Sequence, residues 1–129
     1  MSGSPFKAFR KILQSADIIQ PDVCNTGGIM ETKKIAAMAE AYNMRVAPHN
    51  CSSALSTAAS LQIGACIANF MIQEVYHYFP EQPEYVQVLE DSPEEMIAHG
   101  RIRSPAKPGL GVTLAAERVR PFLFGEYHR

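Results

Sequence analysis

The chain has 129 residues, 47% hydrophobic and 19% charged, with 12 Lys and Arg against 13 Asp and Glu for a net charge of −1. That length suits a single domain with enough apolar content for a packed core. The near-neutral balance leaves no surplus of cations to displace counterions, which argues against nucleic acid as a partner. The longest apolar stretches, such as Ile63–Phe70, fall far short of the roughly 20 residues a membrane helix needs. Met1–Pro5 carry no charged segment followed by an apolar run, so no export signal or membrane association is expected and the location reads as cytoplasmic. Cys24, Cys51 and Cys66 are odd in number and show no C-x-x-C spacing, which fits reduced thiols better than disulfides or a zinc site.

In chain order, Phe6, Phe9, Ile12 and Leu13 recur at helical spacing and predict a short helix over Lys7–Ser15. Asp17–Val23 reads as a strand that Pro21 brings to an end by removing an N–H. Thr26-Gly27-Gly28 is a turn signal, and Ile29–Tyr42 has the periodicity of an amphipathic helix, with Asn43 as its left-handed terminator. Met44–Pro48 reads as a second strand, and His49, Asn50, Cys51 and Ser52 as a polar loop. Ser53–Ala68 is a low-charge helix of small residues that expects burial on more than one side. Phe70–Val75 reads as a third strand. This alternation is the signature of βαβ units around a parallel sheet, so the fold class is α/β.

After Val75 the texture changes. Glu84–Glu90 reads as a strand, Ser92-Pro93-Glu94-Glu95 as a helix start, and Ala115–Phe124 as a short helix. Arg101–Leu114 holds Pro105, Pro108, Gly109 and Gly111 and reads as irregular.

The polar residues at the strand ends are the informative feature: Asp22 after the first, His49 after the second, Glu74 after the third. In parallel α/β architectures the loops at the carboxyl ends of strands converge on one crevice. Asp22 and His49 are 27 positions apart, close to one βα repeat, and Glu74 follows at a similar interval. A carboxylate beside an imidazole fixes its tautomer and supports the imidazolium after proton uptake. Each residue has a plainer reading. Asp22 could cap the following turn, His49 could cap Ser52–Ala54, and Glu74 could reach solvent. Three on successive strand ends weigh toward a shared site. His77, His99 and His128 read as solvated, Cys24 and Cys51 as packing residues, and the Gly27-Gly28 pair as serving the turn rather than an anion site.

Asp17-Ile-Ile-Gln-Pro-Asp22, Gly27-Gly28-Ile29 with Glu31, Lys34-Ile35-Ala36 and Ala39-Glu40-Ala41-Tyr42 together resemble the sixth βα unit of the mandelate racemase-like branch of the enolase superfamily. Val46-Ala47-Pro48-His49-Asn50 is similar to its seventh strand, and Phe70-Met-Ile-Gln-Glu74 to its eighth. Gly100-Arg-Ile102 and Pro108-Gly-Leu-Gly-Val112 resemble the tail that returns to the capping domain. The nearest subgroup is the galactonate-type acid-sugar dehydratases. The resemblance implies the C-terminal portion of a TIM (β/α)8 barrel, with about three βα units over 1–79 and a C-terminal extension over 80–129.

It implies His49 as general acid/base, Asp22 as its orienting partner and Glu74 as hydrogen-bonding a developing enediolate. Asn50 and Ser52 are candidate substrate contacts by position. The implied chemistry is lyase chemistry: proton abstraction α to a carboxylate, Mg²⁺-dependent, then dehydration of a sugar acid to a 2-keto-3-deoxy acid. The family's Mg²⁺ carboxylates lie on its third to fifth strands and its opposing lysine on the second, so no metal ligand is assigned to this chain. A complete barrel needs about 250 residues. The chain therefore reads as the C-terminal part of a larger enzyme, inactive by itself, that forms a homo-oligomer or associates with the N-terminal part. Two alternatives stay open: a racemase or epimerase of the same superfamily, or a non-catalytic interaction fragment that associates through open sheet edges.

Overall fold

In a computed structural model of the chain, residues 15–76 and 88–123 are described. Most of the helix expected over Lys7–Ser15, His77, His128 and much of the strand expected over Glu84–Glu90 lie outside these residues. Strand β1, Ile18–Ile19, pairs in parallel with β2, Arg45–Val46, in the register Ile18 with Arg45 and Ile19 with Val46. Arg45 N–H donates to Asp17 O at 2.9 Å and Ala47 N–H to Ile19 O at 3.0 Å. A parallel ladder repeats every two residues, so the next donor would be residue 21, which is Pro21 and has no N–H.

A third extended segment joins the far side of β2. Val46 N–H donates to Asn69 O at 2.9 Å and Met71 N–H to Val46 O at 2.8 Å, which makes Val46 and Phe70 a parallel bridge. The strand expected over Phe70–Val75 is reduced to this one bridge. The next ladder donor on β2 would be residue 48, and Pro48 has none to give.

Between the strands runs helix α1, Ile29–Glu40. Gly27 and Gly28 lead into it at φ of 102° and 92°, backbone that a side chain would strain. Ile35, Ala36 and Ala39 form its inner stripe and bury against Ile19, Met44 and Val46. Asn43, at φ 57°, turns the chain out of the helix in the left-handed region. Helix α2, Ala54–Cys66, buries Ala54, Ile63 and every residue from Ser56 to Leu61. Its composition of small residues allows that encirclement. Ala59 and Ile63 join Val23 in a second apolar cluster, with Ile67 and Leu110 packed on it. A Cβ at Gly64 would stand 2.8 Å from the Phe70 ring, so glycine permits the third segment to lie close on α2.

Residues 88–123 are held mainly by isolated bridges and side-chain bonds. Leu89 bridges Leu114 antiparallel, and Gln62 of α2 donates from Nε2 to Pro105 O at 3.0 Å. The helix expected to start at Ser92 is a 3-10 turn, Pro93–Met96, capped by the Ser92 hydroxyl. The helix expected over Ala115–Phe124 is a single turn, α3, Ala116–Val119, continued as a 3-10 turn, Arg120–Phe122, where Pro121 supplies no helical N–H. Cys24 and Cys51, expected as packing residues, are both exposed, and Cys24 Sγ lies 3.4 Å from Ser56 Oγ. No helix among the described residues is long and apolar enough to cross a membrane.

Candidate active site

The parallel register places Asp22 opposite His49. β1 and β2 pair with a constant offset of 27 positions, and Asp22 and His49 each stand three residues beyond their strand at that same offset. Asp22 follows Pro21, whose missing N–H ends the main-chain pairing of β1 with β2, so the strand-to-strand bonds stop where the two side chains meet. His49 Nδ1 and Asp22 Oδ2 are 2.9 Å apart.

Asp22 is also the centre of the turn that follows β1. Its Oδ1 accepts from Cys24 N–H at 2.7 Å and its Oδ2 from Asn25 Nδ2 at 2.9 Å. Its carbonyl accepts from the N–H groups of Asn25 and Thr26 and from the Thr26 hydroxyl. Burial pushes the Asp22 carboxyl up, but the bonds from His49, Cys24 and Asn25 together hold it below the ordinary carboxylate value. An ionised Asp22 only accepts, so His49 carries its proton on Nδ1 and presents Nε2 as the basic nitrogen. Nε2 has no hydrogen-bond partner among the described residues, and the ring is 41% exposed while Asp22 is 8% exposed. A half-open imidazole backed by a buried carboxylate is the arrangement that can take up and return a proton.

Glu74 enters differently. The bridge between Val46 and Phe70 sets an offset of 24, which aligns Glu74 with Asn50 and Gln73 with His49. Glu74 Oε2 accepts from Asn50 N–H at 2.9 Å, and its carbonyl accepts from Asn50 Nδ2 at 3.3 Å. Asp22 and His49 are thus in direct contact, while Glu74 is fastened to the residue beside His49. Asn50 is fully buried, and its amide also donates to Thr57 Oγ1 at 2.7 Å. Ser52 is half-buried just ahead of α2, with no side-chain hydrogen bond among the described residues. His99 is exposed, at φ 52°.

Three residues of this constellation escaped sequence reasoning. Asn25 was detectable as an Asx-type turn partner three residues after Asp22. Thr57 and Glu94, whose side chains are hydrogen-bonded to each other, have no local signal linking them. Among the described residues, no three His, Cys, Asp or Glu side chains gather as a set that could hold a metal ion. These residues therefore do not furnish a Mg²⁺ site. The dyad lies at the carboxyl ends of the strands, opposite a concavity lined by Ser15, Asp17, Tyr42 and Met44 at their amino ends.

Comparison with known proteins places this geometry in context. Residues 2–119 match the sequence profile of the enolase C-terminal domain-like family. The chain is 40% identical over 106 residues to the D-xylonate dehydratase of Haloferax volcanii, covering 82% of this chain and 25% of that protein. It is 36% identical over 115 residues to the D-galactonate dehydratase of Variovorax paradoxus, covering 86% of this chain and 30% of that protein. A solved protein of Mesorhizobium loti, provisionally assigned as a dehydratase, superposes with a TM-score of 0.86 at 51% identity, covering 93% of this chain and 32% of that one. A solved enolase-superfamily member of Salmonella Typhimurium superposes with a TM-score of 0.80 at 33% identity, covering 89% of this chain and 29% of that one. The chain spans about a quarter to a third of the length of these relatives.

Proposed function

The chain belongs to the enolase C-terminal domain-like family, as a portion of its TIM barrel, and from that premise we propose that it supplies the proton-transfer dyad of a sugar-acid dehydratase. The observation that carries this reading is the 2.9 Å contact between His49 Nδ1 and the buried Asp22 carboxylate at paired strand ends. His49 Nε2 takes the proton α to the substrate carboxylate, and ionised Asp22 stabilises the imidazolium that results. The electron pair left on the α carbon spreads into the substrate carboxylate as an enediolate. Glu74, held through Oε2 by Asn50 N–H, supports that charge through Oε1 when it carries a proton there. The pair then expels the β-hydroxyl, which leaves as water after protonation by His49, and the enol tautomerises to a 2-keto-3-deoxy acid. Ser52, half-buried just ahead of α2, is the proposed contact for a substrate hydroxyl. The relatives are named as dehydratases of xylonate and galactonate, which supports an aldonic acid as the substrate class. Mg²⁺, which the family resemblance implies, finds no fitting ligand set among the described residues, and no step here passes through it.

The test grafts residues 2–119 into the matching part of the Haloferax D-xylonate dehydratase and assays keto-acid release from xylonate, galactonate and gluconate. Turnover is expected, with His49→Gln lowering it about 10²–10⁴-fold. Equal turnover with and without His49 would remove the dyad from the chemistry. Solvent deuterium entering the α position without keto-acid release would favour the racemase reading.

A further inference from the structure

A buried line of hydrogen bonds runs from the tail to the strand ends. The Thr57 hydroxyl on α2 donates to Glu94 Oε1 in the 3-10 turn, so its oxygen is left to accept from Asn50 Nδ2 at 2.7 Å. The same Asn50 amide nitrogen donates to the Glu74 carbonyl, and the Asn50 main-chain N–H to the Glu74 carboxylate. Asn50 and Thr57 are 0% exposed and Glu94 is 1% exposed. A hydroxyl has one proton to give. The Glu94 carboxylate claims it, and this fixes which end of the Asn50 amide can face Thr57. Turned the other way, Asn50 would set its oxygen against both the Thr57 lone pairs and the Glu74 carbonyl.

We propose that Glu94 is a positioning residue for Glu74, acting through Thr57 and Asn50, so that the tail orders the third strand end of the site. This rests on reading Glu74 as a member of that site. Every link has a defined donor and acceptor, and the line connects elements 37 and 24 positions apart in sequence. Main-chain pairing supplies no such tie, because Pro48 leaves the ladder without its next donor. The side-chain line takes over where the sheet stops.

The test is NMR on this chain, with Thr57→Val, Thr57→Ser and Glu94→Gln. In Thr57→Val, exchange of the Asn50 amide proton should quicken about tenfold more than that of the Leu61 and Ile63 amides in α2. Thr57→Ser should restore it to within about twofold. In Glu94→Gln the Glu74 carboxyl carbon resonance should move. The proposal is overturned if Asn50 exchange merely follows α2, or if the Glu74 resonance stays at its wild-type position in Glu94→Gln. Should Thr57→Val fail to fold, Glu94→Gln decides alone. None of these readouts depends on turnover. A silent graft with the expected shifts would sink the dehydratase reading only, and a dyad-dependent graft with no shifts would sink this one only.

Discussion

Residues 15–76 and 88–123 are built on different physics. The first stretch is periodic: apolar stripes on α1 and α2 bury against paired strands, and the side chains of Asp22 and His49 meet because the strand register is constant. The second has few regular bonds, and single polar contacts such as Gln62 to Pro105 and Thr57 to Glu94 fasten it to α2. Repetition thus builds the half that carries the dyad, while individual contacts decide how the other half reaches it.

The largest expected effect probes the periodic half. Ile35 is 1% exposed at the centre of the β1–α1–β2 cluster. Ile35→Ala should cost about 2–5 kcal/mol in urea unfolding. A loss below about 1 kcal/mol would mean the stripe is not what holds this half together. Gly111→Ala then probes the tail. Its Cβ would stand 2.5 Å from Pro105 Cβ, at φ +76°. The expected loss is about 1–3 kcal/mol in the same measurement. A single transition by far-UV and near-UV signals would show the halves unfolding together, and two separated transitions would show that they unfold independently.

Asp22→Asn has the smallest expected effect, about 1 kcal/mol, and probes the site itself. The native Asp22 carboxyl sits below its ordinary value, so its contribution is complete above about pH 3.9 and fades as pH falls through the lower native value. Wild type and Asp22→Asn should therefore differ in stability at neutral pH and converge in strong acid. A difference that persists unchanged into strong acid would mean the charge contributes nothing. Nitrogen-15 spectra of His49 at high pH should also lose their preference for a proton on Nδ1 in this variant.

In the repeating half α1 is legible from residues alone, since turn glycines, Asn43 and the apolar stripes of Ile29–Tyr42 mark it within a few positions of its observed ends, whereas the strands expected over Asp17–Val23 and Met44–Pro48 pair only at Ile18–Ile19 and Arg45–Val46. Pro48 is equally visible, and its absent N–H ends the pairing between β2 and the segment after Phe70 for both partners. Glu74 shows the limit of counting repeats. Spaced at about one repeat from His49, it is expected to face the same cavity, and the observed offset of 24 aligns it with Asn50, one position beyond His49. A step of one residue in a strand changes which neighbours a side chain meets. Thr57 and Glu94 lie beyond any such reading, because no periodicity ties a helix to a distant 3-10 turn.

Pro21 leaves the tips of β1 and β2 unstitched, and what closes that seam is a carboxylate holding an imidazole. Reagent and rivet are therefore one object. Neutralising the acid opens the tip.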